Sequence, residues 1–136
     1  MNVLLVEDDA CLSAVLSDSF EERGFLTQIA STLEEASNAL KANTFDVAIL
    51  DLDLDGKCSL PLADMALYSC PQTAIVLLTG SHMFARGEMM VNWPNIRHCL
   101  RKPTRIGDLL MIAEFLGSRK ADCSDSHVNF AGARAI

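Results

Sequence analysis

Three short runs of consecutive apolar residues, at 3–6, 47–50 and 75–78, punctuate the chain, and each stops abruptly at polar residues. Apolar runs of this length, unrelieved by alternation, read as strands buried on both faces. Weaker runs lie at 25–29 and 97–100. Between the runs the apolar spacing is helical. Leu12, Val15, Leu16 and Phe20 fall on one helix face, and Gly24 is placed to end it. Thr32 and Glu35 have the spacing of a capping box, and with Leu33, Ala36 and Leu40 they predict a helix over 32–42. Further helices are expected near 59–68 and over 104–116, the latter from Ile106, Leu109, Leu110 and Ala113. From Ser81 to His98 the apolar residues are interrupted by Gly87 and Pro94, so a short or irregular helix is expected there.

Five strands alternating with helices imply an α/β fold, a mostly parallel sheet with helices on both faces, because parallel strands need crossovers and crossovers are right-handed. A chain of 136 residues, half of them hydrophobic, suits one domain with one core. That domain is expected over 1–117. The segment 118–136 turns to Ser, Asp, Gly and Ala with little periodicity and reads as a flexible C-terminal tail.

The formal net charge is −7, and the eleven Lys and Arg residues form no run that could follow a phosphate backbone, which disfavours direct nucleic-acid binding. No apolar run approaches the roughly 20 residues needed to span a bilayer. The five cysteines are widely spaced, with no C-x-x-C pair, and read as reduced thiols in a cytoplasmic protein. His82, His98 and His127 lack metal-ligand spacing and are expected at the surface.

In open parallel sheets ligands bind at the carboxyl ends of the strands. The residues there are Glu7, Asp8 and Asp9 after the first strand, Asp51 after the third, Thr79 after the fourth and Lys102 after the fifth. Carboxylates gathered at one edge repel, by roughly 4 kcal/mol for a pair 4 Å apart at an effective dielectric of 20. A hard divalent cation with oxygen ligands would hold them, and Mg2+ with retained waters suits a site of few carboxylates. With metal and lysine neutralising charge, an aspartate can act as a nucleophile on phosphorus while a hydroxyl such as Thr79 bonds the transferred group. Taken singly each residue has a plainer reading: Asp8 or Asp9 as a helix cap, Thr79 as a turn residue, Lys102 as a solvated charge.

The ordered segments V-L-L-V-E-D-D, D-V-A-I-L-D-L, A-I-V-L-L-T-G and L-R-K-P closely resemble the response-regulator receiver family over residues 1 to about 117. The resemblance implies a flavodoxin-like sheet of order 2-1-3-4-5. It implies that Glu7 and Asp8 hold magnesium, that Asp51 is the phosphoacceptor and a metal ligand, and that Asp53 contributes its backbone carbonyl. Thr79 and Lys102 become the switch hydroxyl and the phosphate-contacting lysine. The implied donor is a sensor histidine kinase, a phosphotransfer protein or a small phosphodonor. The only catalysis implied is of the domain's own phosphorylation and dephosphorylation, with a downstream protein as target.

Three places depart from the family's pattern. The loop after Asp51 reads L-D-L-D-G-K, lacks the usual Pro and is about two residues short. Cys99, beside His98, occupies the position of the usual switch aromatic, and the region of Gly87, Trp93 and Pro94 lacks the common small-residue pattern. Trp93 has two readings, core packing or an exposed partner anchor. Competing functions are also open. Asp51 to Gly56 resembles the start of an EF-hand loop, but position twelve is Leu62. Asp51 and Asp53 resemble the D-x-D of a haloacid-dehalogenase-type phosphatase, yet only Asp108 follows Lys102 where an acidic pair is needed. A receiver-like module that only binds proteins is the remaining alternative.

Overall fold

The computed structural model describes residues 1–80 and 93–129, with side chains of the last helix described through residue 118. The strands are β1 (Asn2–Val6), β2 (Leu26–Ala30), β3 (Val47–Asp51), β4 (Asp53–Leu54), β5 (Lys57–Cys58), β6 (Ala74–Thr79) and β7 (Ile96–Arg101). The helices are α1 (Ala10–Glu22), α2 (Leu33–Ala42), α3 (Leu60–Ser69) and α4 (Ile106–Asn129). Five strands form one parallel sheet in the order β2-β1-β3-β6-β7. This is the expected order 2-1-3-4-5, once the small β4–β5 hairpin is set aside.

The central strands β1, β3 and β6 are apolar between their terminal residues because both of their faces are covered. Leu4, Val6, Ala48, Leu50, Ile75 and Leu77 enter one core cluster, with residues of α2 and α3. Val3, Leu5, Val47, Ile49, Val76 and Leu78 enter the other, against α1 and α4. The edge strands β2 and β7 are largely exposed or half-buried, which is why their sequence signal is weaker. Parallel β1 and β3 pair with Val6 opposite Leu50, so Glu7 and Asp51 follow side by side at the same end of the sheet.

Most helix boundaries follow from local chemistry. At the end of α1 the Phe25 amide donates to the Phe20 carbonyl at 3.1 Å and the Gly24 amide to Glu21 at 3.0 Å, a Schellman closure with Gly24 at φ 90°. The Phe20 and Phe25 rings meet edge to face, 5.0 Å apart. The inner face of α1 differs from expectation at one point: Ser13 is buried and Val15 is exposed, since the burial stripe runs through Ser13, Leu16 and Phe20. Helix α2 begins at Thr32, whose Oγ1 accepts the Glu35 amide at 3.1 Å. The Glu35 carboxylate in turn accepts from the Ser31 amide and hydroxyl, at 2.8 and 3.0 Å, and these two bonds hold the Glu35 carboxyl below its ordinary pKa.

Helix α4 does not stop near Leu116: it continues past Gly117 to Asn129. One glycine inside a helix costs only about 1 kcal/mol relative to alanine, too little to end a helix by itself. Among the described residues no helix is long and apolar enough to cross a membrane. Of the segment from Ser81 to His98 where an irregular helix is expected, residues 81–92, His82 among them, lie outside the described residues, while 93–98 form a turn and the start of β7. Trp93 packs partly buried against the core, and its indole donates to Asp64 on α3 at 2.6 Å, so it is a packing residue with a satisfied N–H. His98 is half-buried on β7, and Cys11, Cys58, Cys70 and Cys99 are not joined in disulfides.

The Thr32 cap is exposed and local, so Thr32→Ala is expected to lower stability by about 1 kcal/mol in urea denaturation, with Thr32→Ser close to wild type. Equal midpoints for the alanine variant and wild type would show that the cap contributes nothing.

Candidate functional site

The chain enters α1 through Glu7, Asp8 and Asp9, which leave β1 at the point where its neighbours β2 and β3 connect to opposite sides of the sheet. Such a switch point opens a crevice at the strand ends. The three acids have different tasks there. Asp9 is the N-cap of α1: its Oδ1 accepts the Cys11 and Leu12 amides at 3.0 and 3.2 Å. Asp8 is exposed and does not cap the helix. Glu7 is 4 % exposed, points inward, and accepts the Asp9 amide at 3.2 Å.

Asp51, 5 % exposed, ends β3 beside Glu7. Carboxylate oxygens of Glu7, Asp8 and Asp51 lie within 4.8 Å of one another. Lys102 reaches them from the loop after β7, its Nζ 2.9 Å from Asp51 Oδ2 and 3.3 Å from Glu7 Oε1. The Lys102 amide donates to the Thr79 carbonyl at 2.8 Å, which ties the lysine's backbone to the end of β6 and sets its side chain over the site. Thr79 itself is 6 % exposed at the end of β6. Sequence positions far apart, Glu7, Asp8, Asp51, Thr79 and Lys102, are thus delivered to one edge by four parallel strands.

The charges do not balance. Among the described residues three carboxylates face one ammonium. Burial raises the Glu7 pKa above the ordinary carboxylate value, and the nearby Asp51 charge adds to the rise against the opposing pull of the Asp9 amide and Lys102. Partial burial pulls the Lys102 ammonium down, but the hydrogen bond and charge of Asp51, followed by Glu7, outweigh it and raise its pKa. A surplus of hard oxygen donors, with Asp8 on the open side, fits a hard divalent cation. The chemistry available at Asp51 is that of a buried nucleophilic carboxylate with a cation beside it.

Asp53 is placed differently from the three converging acids. Its amide donates to Asp51 Oδ1 at 3.2 Å while its own carboxylate is exposed and outside the group. Asp53 opens a feature that the pattern of apolar runs does not reveal: a two-residue hairpin in which Asp53 pairs with Cys58 and Leu54 with Lys57. The turn residues Asp55 and Gly56 have φ of 53° and 78°, the type I′ geometry that Asp-Gly favours, and that dipeptide was the available signal. This shape removes the EF-hand reading, because the acids alternate along a hairpin and do not wrap a common centre. Ser59 stands at the N-terminal boundary of α3. It is fully buried and its hydroxyl donates to the Asp51 carbonyl at 2.6 Å.

Comparison with known proteins agrees with this architecture. A family model described as the response regulator receiver domain matches residues 3–114. The photosynthetic apparatus regulatory protein RegA of Rhodobacter capsulatus is 32 % identical over 79 residues, 58 % of this chain; the match spans 43 % of that protein's length. Among solved structures, a CheY-like receiver domain protein of Methanospirillum hungatei superposes with TM-score 0.81 at 21 % identity, covering 89 % of this chain and 96 % of that one. The response regulator TrrA of Thermotoga maritima, in complex with Mg2+ and BeF, gives 0.72 at 22 % identity, over 85 % and 97 % of the two chains. A Burkholderia pseudomallei response regulator with a phosphorylated aspartic acid and a calcium ion gives 0.75 at 23 % identity, over 96 % and 75 %. The family match runs from β1 into the last helix, and the chain belongs to the response regulator receiver domain family.

Proposed function

We propose that this chain is a phosphoacceptor receiver of a two-component signalling system, taking a phosphoryl group on Asp51 and switching a protein-binding surface in response. The observation that carries the reading is the placement of Asp51: buried at a strand end, 2.9 Å from the Lys102 ammonium, and grouped with the exposed carboxylate of Asp8 and the buried one of Glu7. The Burkholderia neighbour's phosphorylated aspartate and the Thermotoga neighbour's Mg2+ and BeF support it by analogy.

In the proposed reaction an Asp51 carboxylate oxygen attacks the phosphorus of a donor, the phosphohistidine of a sensor kinase or phosphotransfer protein, or a small phosphodonor. A P–O bond to Asp51 forms as the donor's bond to phosphorus breaks, and the leaving group departs with its electron pair. Lys102 lies where negative charge accumulates on the phosphoryl oxygens. Thr79 supplies a hydroxyl at the neighbouring strand end to bond the transferred group. Glu7, Asp8 and Asp51, with the Asp53 backbone carbonyl, would hold Mg2+. When bound, the ion neutralises charge on the phosphoryl oxygens and the carboxylates.

The phosphorylated site carries more negative charge than Asp51 alone, which biases the loops that hold Thr79 and Lys102. The usual aromatic relay is replaced by Cys99, half-buried and packed against the core cluster on the α2 and α3 side. The output partner is proposed to be another protein, with neither nucleic acid nor membrane bound directly, and the setting to be cytoplasmic.

Incubation with acetyl phosphate and Mg2+ is expected to give one phosphoryl adduct by intact mass, absent from Asp51→Asn and from a chelator-treated sample. If wild type takes no adduct and binds no beryllofluoride in the presence of Mg2+, the phosphoacceptor reading fails and a protein-binding module that does not signal by phosphorylation replaces it.

Glu7 gives a second expectation. Its pKa is raised in the folded state, so the folded protein holds that proton to higher pH than the unfolded chain. In metal-free protein this contribution therefore destabilises as pH rises from the ordinary Glu value through the raised one. Glu7→Gln removes the penalty: in chelator its urea midpoint should exceed that of wild type at pH 7, with the gap closing at acidic pH. Mg2+ affinity should fall by about tenfold or more. A lower midpoint for Glu7→Gln at pH 7 would contradict the charge argument.

A further inference from the structure

Of the three grouped carboxylates, two are fixed by their surroundings. Glu7 and Asp51 are buried, and each accepts a hydrogen bond from Lys102. Asp8 is exposed, and an exposed aspartate on a loop has rotamer freedom that must be given up on binding a cation. The β4–β5 hairpin meets this residue directly: the Asp55 amide, at the tip of the turn, donates to Asp8 Oδ2 at 2.9 Å.

The hairpin is itself anchored to Asp51. Asp53 bonds Asp51 Oδ1 through its amide, Leu54 is buried in the core, and the return strand is closed by Ser59, whose amide donates to Leu52 at 2.9 Å and whose hydroxyl donates to the Asp51 carbonyl. One six-residue unit, Asp53 to Cys58, therefore spans from the nucleophilic carboxylate to the exposed member of the acidic pair. The direction of the Asp55 N–H depends on the left-handed backbone at Asp55 and Gly56. Asp and Asn tolerate that conformation, and β-branched residues do not.

We propose that the Asp53–Cys58 hairpin is a positioning device for the cation site, in which the Asp55 backbone amide clamps Asp8 Oδ2 and so presents the other carboxylate oxygen toward Glu7 and Asp51. Asp55 acts through Asp8; its own carboxylate is not needed. The inference rests on the reading of Glu7, Asp8 and Asp51 as the cation ligands.

The test is calorimetric titration of the full chain with Mg2+ alone, for wild type, Asp55→Asn, Asp55→Val and Gly56→Ala, with thermal melts in chelator to show that each is folded. Gly56→Ala is the milder probe, since a Cβ there meets nothing within 4 Å and only the positive φ opposes it. Asp55→Asn is expected to bind like wild type, Asp55→Val about tenfold more weakly, and Gly56→Ala in between. Wild-type affinity in folded Asp55→Val and Gly56→Ala overturns the proposal. So does an Asp55→Asn defect as large as that of Asp55→Val, which would assign the effect to the side chain. If wild type itself binds no Mg2+, the ligand assignment fails, and the clamp with it.

Discussion

The Lys102 ammonium is the interaction on which the site depends, because it touches both buried carboxylates, Asp51 at 2.9 Å and Glu7 at 3.3 Å. Charges removed from water are tolerated only when paired, and taking away one partner leaves the others uncompensated. The lysine arrives from two strands away. Its reach is set by the pairing of β6 with β7, in which Thr79 faces Arg101, and by the amide bond from Lys102 to the Thr79 carbonyl. The register of an edge strand therefore controls the electrostatics of a site built mainly on the central strands.

The sheet beneath explains why the lysine does not fully settle the account of charge. Leu50, Leu77 and Leu78 lie just below the strand ends and are buried. A low-dielectric floor strengthens the attraction of Lys102 for Asp51, and it equally strengthens the desolvation of Glu7 and its repulsion from Asp51. For Glu7 the unfavourable effects win. A site of this kind stores a demand for positive charge in a fold whose stability comes from apolar packing on both sides of the sheet, a common division of labour between scaffold and functional site.

The elements that could be read from the sequence are those whose physics is local or repetitive. Val3 to Val6, Val47 to Leu50 and Ile75 to Leu78 are apolar because both faces are covered, and no other placement suits them. Gly24 and Thr32 mark helix ends because the bonds they make lie within a few residues. Elsewhere the local signal is ambiguous. Val15 and Ser13 exchanged inner and outer places because a broad apolar stripe does not fix the helix's rotation to within one residue. The last helix is expected to end near Leu116, but it runs on through Gly117, since a glycine ends a helix only when the chain beyond it leaves the helical path. The hairpin at Asp53 to Cys58 was hidden behind the more conspicuous spacing of its acids, although Asp55-Gly56 states its turn type.

By itself the sequence determined the fold class and which residues meet at one edge of the sheet, because strand runs are short-range patterns and the residues following each run must emerge at one edge of a parallel sheet. It could not assign tasks among Glu7, Asp8 and Asp9, which have similar chemistry and adjacent positions. Tertiary structure decided that Asp9 caps α1, that Glu7 turns inward to Lys102, and that Asp8 remains at the surface against the Asp55 amide. It likewise placed the Ser59 hydroxyl on the Asp51 carbonyl. These assignments depend on which distant groups arrive within hydrogen-bonding distance, and that is fixed by strand register and loop path, quantities set by the packing of the whole domain.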